Sequence, residues 1–86
     1  MPFDVLIRRQ AASKLSTLPK SERERLTEKI TLLGNNPDDQ TLDARKLRAS
    51  RFWRLRVGKW RIIYDRQDAT KVISIELIKP RGDAYK

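Results

Sequence analysis

The sequence predicts an α+β fold: an N-terminal strand and a two-helix hairpin packed on a mostly antiparallel β-sheet, in the order β-α-α-β-β-β. Three observations carry this. Apolar residues alternate at Phe3, Val5 and Ile7 and then change to helical spacing after Arg9. A Gly58-Lys59 pair separates two strand-like runs, as in a two-residue hairpin turn with glycine first. A last alternating run closes the chain from Thr70 to Lys79.

The first strand covers Phe3 to Ile7, with Asp4, Leu6 and Arg8 on the less buried side. Helix one follows from about Arg9, carried by Ala12, Leu15 and Leu18 and closed before Pro19. Pro19 suits a first helical turn, and Ser21-Glu22-Arg23-Glu24 has the spacing of a capping box, so helix two is expected to start there. Leu26, Ile30 and Leu33 form its apolar stripe. Gly34, followed by Asn35-Asn36-Pro37, is expected to end it in a left-handed C-cap. Asn35 to Ala44 reads as loop, anchored by Leu42 and Leu47, and the two central strands run from Phe52 to Val57 and from Lys59 to Asp65.

The 86 residues suit one domain spanning 1–86, because two cores of half that size would bury too little apolar surface to offset chain entropy. With 38% hydrophobic and 36% charged residues, the composition fits a thin core under a charged surface and argues against disorder. The chain has no cysteine and no histidine, which removes disulfides, thiolate zinc sites and the usual general base. No apolar run approaches the length of a membrane span and no leader pattern opens the chain, so a cytoplasmic location is expected.

Net charge is +9, and nearly all of it is in one place. Residues 1–43 hold seven basic and seven acidic side chains, and residues 65–86 hold five and four. The segment from Ala44 to Tyr64 holds eight basic side chains and no acid, a concentration that points to a phosphate-rich partner, foremost RNA. Counting outward from the Gly58-Lys59 turn pairs Val57 with Trp60, Arg56 with Arg61, Leu55 with Ile62, Arg54 with Ile63 and Trp53 with Tyr64. Side chains alternate across a strand, so Trp53, Leu55, Val57, Trp60, Ile62 and Tyr64 share a core face and Arg54, Arg56 and Arg61 share the other. Opposed like charges are unfavourable unless an anion lies between them. Glu76 could share the arginine face and neutralise part of it, if Ser74, Glu76 and Ile78 point away from Ile73, Ile75 and Leu77.

Lys46-Leu47-Arg48, the run Phe52-Trp53-Arg54-Leu55-Arg56-Val57-Gly58-Lys59-Trp60-Arg61-Ile62-Ile63-Tyr64 and the tail Lys79-Pro80-Arg81-Gly82-Asp83-Ala84-Tyr85 resemble the RelE/ParE superfamily of bacterial and archaeal toxins, on its RelE side. The resemblance covers essentially the whole chain. It implies a ribosome-dependent endoribonuclease held inactive by a RelB-like antitoxin, with the ribosome and mRNA as partners and neither metal nor other cofactor required. In that chemistry a ribose 2′-OH attacks the neighbouring phosphate, leaving a 2′,3′-cyclic phosphate and a 5′-OH. By position, Arg54, Arg56, Arg61, Arg81 and Tyr85 correspond to the catalytic residues, and Arg45, Lys46, Arg48, Arg51 and Lys79 are expected to bind RNA or ribosome.

Two departures from the family bear on the base. Some RelE toxins have lysines where Arg54 and Arg56 stand, and others a histidine where this chain has Pro80. The role then passes to the Tyr85 phenol, acidified by surrounding cations. The competing functions are a ParE-like inhibitor of DNA gyrase and a basic module that binds RNA or ribosome without cutting it. Arg81 and Tyr85 in the tail favour the nuclease.

Overall fold

The computed structural model describes residues 2–80, so the expectations for Arg81 and Tyr85 lie outside the described residues. The elements are β1 (Asp4–Ile7), α1 (Arg9–Thr17), α2 (Lys20–Asn35), β2 (Asp43–Lys46), β3 (Phe52–Val57), β4 (Trp60–Gln67) and β5 (Val72–Pro80). They form one five-stranded sheet in the order β1-β5-β4-β3-β2. β1 runs parallel to β5, and every other neighbouring pair is antiparallel. The parallel pair follows from topology, because the two helices carry the chain away from β1 before the sheet is built.

One face of the sheet holds the core. Leu55, Val57, Ile62, Tyr64, Ile73, Ile75 and Ile78 are buried there with Ala11, Leu15 and Leu18 around α1 and Leu26, Ile30 and Leu33 of α2. Ala11 fills the position four before Leu15, whereas Ala12, expected in the stripe, is exposed. Trp53 and Trp60 pack on the edge of this core, as their register requires.

Three local expectations are corrected. Pro19 caps α2 from outside with ψ 151°, and no side chain caps the helix, so Ser21 lies inside it and the capping box does not form. The extended backbone at Pro19 starts the helix two residues early, with Arg23 N donating to the Pro19 carbonyl at 2.9 Å. Gly34 is still helical; the helix ends at Asn36, whose φ is −156°. What Gly34 supplies is a missing side chain, because a Cβ there would stand 2.6 Å from Val5 Cγ2, where β1 crosses α2. Phe3 N donates to the Gly34 carbonyl at 2.7 Å across that same contact. The third correction is β2, which begins inside the segment read as loop and pairs with β3, Asp43 opposite Arg56 and Arg45 opposite Arg54.

Candidate nucleic-acid interface

The β3–β4 register is the one counted from the turn, from Val57 opposite Trp60 to Trp53 opposite Tyr64. Gly58 makes this possible with φ 58°, a conformation costly for any side chain. Arg54, Arg56 and Arg61 therefore share the face away from the core. The third strand extends the pattern: Lys79 lies directly opposite Arg61, so Arg56, Arg61 and Lys79 form one row of cations across β3, β4 and β5. Arg45 stands on the same face beside Arg54.

These cations differ in exposure. Arg54 is 5% and Arg61 9% exposed, whereas Arg56 is partly open and Arg45 exposed. A buried guanidinium needs a counter-charge, and for Arg54 it is Asp43. Arg54 Nη2 donates to Asp43 Oδ1 at 3.3 Å, and Arg56 Nε lies 3.5 Å from Asp43 Oδ2 without hydrogen-bond geometry. The Nε atoms of Arg54 and Arg56 are both buried with no hydrogen-bond acceptor among the described residues. Two donors of the arginine cluster are thus desolvated without a compensating hydrogen bond among the described residues.

Glu76 does not neutralise this cluster. The β4–β5 pairing shifts by one residue there: Ile63 faces Leu77 and Tyr64 faces Ile75, which leaves Glu76 as the extra residue of a bulge. Its carboxylate accepts from Ser74 Oγ at 2.7 Å and lies 3.9 Å from Arg8 Nε. The bulge also reverses the expected phase of β5, sending Ile78 into the core and Leu77 to the arginine face. The acid that matters is Asp43, one residue before the acid-free segment. It could have been found by extending the pairing to a second hairpin, in which Leu47 N donates to the Phe52 carbonyl at 2.9 Å.

The remaining basic residues separate. Arg51 donates to Asp65 Oδ2 at 3.0 Å and is tied to the end of β4. Lys46 faces Trp53 on the opposite side of the sheet from Arg45, and Arg48 is exposed in the β2–β3 turn. Phe52, absent from the sequence candidates, alternates onto the arginine face. With Ile63, Leu77 and Pro80 it floors a cleft of about 1080 Å³ whose opposite wall is Arg8 and the α1 helix that follows it, including Lys14. Glu76 also lines this cleft, whose apolar floor between Arg8 and Lys14 can take the face of a base.

The aromatic residues of the core face do other work. Trp60 Nε1 donates to Glu22 Oε1 at 2.8 Å, fixing the hairpin to the start of α2, and Trp53 stacks with Tyr64 at 6.3 Å between ring centroids. Burial pushes the Tyr64 phenol up to about 12, against the opposing influence of Arg66, so it cannot serve as a base near neutral pH. Arg66 bridges Asp38 and Asp68 at 2.8 Å each and lies over the rings of Phe3 and Trp53. The Arg66 guanidinium holds the Asp38 carboxyl below its usual range. This cluster ties the loop before β2 to the β4–β5 turn and stands apart from the cationic row.

The chain is similar to known proteins in sequence and in fold. Residues 5–85 match the family model described as ParE toxin of type II toxin-antitoxin system, parDE. The chain is 33% identical over 88 residues to "Putative toxin RelE1" of Methanocaldococcus jannaschii, covering all of this chain and 98% of that protein. In the crystal structure of the archaeal RelE-RelB complex from Pyrococcus horikoshii OT3, a chain 34% identical superposes with a TM-score of 0.84, over 98% of this chain and all of that one. The intact E. coli RelBE toxin-antitoxin complex contains a chain with the same fold, at 17% identity and a TM-score of 0.76, over 94% and 98% of the two chains. Among the described residues no helix is long and apolar enough to cross a membrane.

Proposed function

The chain belongs to the ParE toxin family of type II toxin-antitoxin systems, within the RelE/ParE superfamily, and from that premise we propose that it is a ribosome-dependent endoribonuclease acting on mRNA. The observation that carries the reading is the row Arg56, Arg61 and Lys79, with buried Arg54 beside it and, among the described residues, half-exposed Asp43 as the counter-ion of Arg54 and Arg56. A row of fixed cations suits a phosphate in transesterification, where the attacking 2′-oxygen adds to phosphorus and negative charge accumulates on the non-bridging oxygens. Guanidiniums already desolvated and aligned need little reorganisation as that charge develops. The 2′-OH loses its proton, the P–O5′ bond breaks, and the leaving 5′-oxygen takes up a proton, leaving a 2′,3′-cyclic phosphate and a 5′-OH.

Arg61 and Arg56 are assigned to the phosphate and Arg54 to holding the cluster's field, while the resemblance assigns Arg81 and Tyr85 to the same chemistry, Tyr85 as the proton acceptor. Phe52 and the cleft beside it would seat a neighbouring base. A RelB-like antitoxin is the proposed partner, as in the toxin-antitoxin complex from Pyrococcus horikoshii OT3, and the basic face favours an acidic or amphipathic segment. The family model's ParE name makes gyrase inhibition the second reading.

The test is to incubate the protein with mRNA-programmed ribosomes and map new 5′ ends. Discrete cuts that Arg61→Ala reduces by about 100-fold or more support the nuclease. Protection without cuts, or DNA breaks that require gyrase, would replace it. Tyr85→Phe with undiminished cleavage would remove that residue from the role of base.

A further inference from the structure

Beyond the row, on the side of Arg56 away from Arg61, the end of the β3–β4 hairpin meets α2. Arg25 and Lys29 of α2, Arg56 and Gly58 of the hairpin, and Thr41 and Asp43 at the approach to β2 enclose a cavity of about 120 Å³. At about 30 Å³ per water in the liquid, that is room for a phosphate group and not for a nucleotide.

Two cations of α2 face the cavity, Arg25 and Lys29, one turn apart. Like charges at this spacing destabilise a helix by about 0.2–0.5 kcal/mol, and Glu22 and Glu28, each three residues from Arg25, oppose that by a similar amount. Glu22, the acid one turn before Arg25, is engaged elsewhere, accepting from Trp60 Nε1 at 2.8 Å and lying 3.6 Å from Lys59 Nζ. Neither Arg25 nor Lys29 makes an ion pair among the described residues. The Arg25 guanidinium is also set in place: its Nη1 stands 3.3 Å from where a Gly58 Cβ would be, so the glycine that makes the turn also admits the arginine. Arg56 stands on the cavity's other wall, with the Asp43 carboxylate 3.5 Å from its Nε.

We propose that this cavity is a second phosphate subsite for the RNA strand, in which Arg25 and Lys29 hold a backbone phosphate displaced from the cleavage row and Arg56 is shared between the two. The inference rests on the reading of the sheet as an RNA-binding face. It extends that face around the β2 edge of the sheet onto α2 and gives the strand a path along Lys79, Arg61, Arg56 and Arg25.

The test uses the full chain and a labelled single-stranded RNA, with fluorescence anisotropy measured across a salt series. Each phosphate contact on a single strand contributes about 0.7 to the slope of log K against log salt. The Arg25→Ala/Lys29→Ala double variant should lose about that much slope, bind several-fold more weakly at low salt, and keep the wild-type melting temperature and cleavage position. An unchanged slope and affinity overturns the proposal, as does a loss confined to antitoxin binding, which would assign the cavity to a protein carboxylate. Cleavage of programmed ribosomes, measured in parallel, separates the two readings. Cleavage with an unchanged slope leaves the nuclease standing without the subsite, and a lowered slope without cleavage does the reverse.

Discussion

Replacing Asp43 with asparagine should make the protein less stable and more responsive to phosphate. The carboxylate meets Arg54 Nη2 at 3.3 Å and Arg56 Nε at 3.5 Å. Unit charges about 4 Å apart interact by about 4 kcal/mol at an effective dielectric constant near 20. Solvent reduces this, because the Asp43 side chain is 55% exposed, but the Arg54 side chain is 6% exposed and cannot rehydrate when its partner is lost. Removing a partner from a buried pair costs about 3–5 kcal/mol and from an exposed one about 0–1. This half-buried case should lie between, at about 1–2 kcal/mol in low salt. For a chain of this size, the melting temperature would fall on the order of 5–10 °C. Inorganic phosphate should then restore more stability to Asp43→Asn than it adds to wild type, since an anion bound only by the folded state stabilises it by mass action. Paired thermal melts with and without phosphate at constant ionic strength decide the matter. A loss under about 0.5 kcal/mol, with equal phosphate response in both proteins, would refute Asp43 as the counter-ion of the cluster.

Other perturbations test other parts of the fold. Gly34→Ala drives a methyl to 2.6 Å from Val5 Cγ2, and overpacking of this kind costs about 1–3 kcal/mol, readable as a lower denaturant midpoint with unchanged slope. Gly58→Ala should cost about 1–3 kcal/mol through its φ of 58°, and by crowding Arg25 it should also weaken RNA binding. The Tyr64 phenol, raised by burial from 10 to about 12, makes stability pH-dependent: its contribution is complete below about pH 10 and is lost as pH rises towards 12, because the unfolded chain ionises first. Tyr64→Phe removes an OH with no hydrogen-bond partner among the described residues and should flatten that alkaline decline, measured as unfolding midpoints on either side of pH 10.

The parts of the molecule legible in the sequence are those where one residue type forces one conformation. Gly58 fixed the hairpin, the hairpin fixed the register, and the register put three arginines on one face. Features decided by competition between similar options were not legible. Both Pro19 and Ser21 can start a helix, and the extended backbone at Pro19 prevails. Ile73, Ile75, Leu77 and Ile78 are all apolar, so alternation alone could not show which of them changes face at Glu76. β2 has four residues and no apolar alternation, and only its partner β3 makes it a strand. Asp43 was invisible as a site residue for that reason, because its role exists only once β2 is paired.

Burial of Arg54 and Arg61 constrains how such a site can work. A cation in open solvent would lose water and side-chain freedom at the moment charge develops on phosphorus. A buried one has lost both on folding, and that cost is borne by the stability of the toxin itself. Asp43 offsets part of it for Arg54, yet the same carboxylate lies beside Arg56, where it repels the phosphate that Arg56 is proposed to bind. Stability and RNA affinity are therefore opposed at this one side chain. An acidic antitoxin segment laid over the row could reverse both effects together, stabilising the cations while excluding the RNA. Asp43→Asn should consequently raise affinity for RNA and for an acidic partner at low salt while lowering the melting temperature. A variant that lost stability and RNA affinity in parallel would show that Asp43 positions Arg56 for the phosphate and does not compete with it.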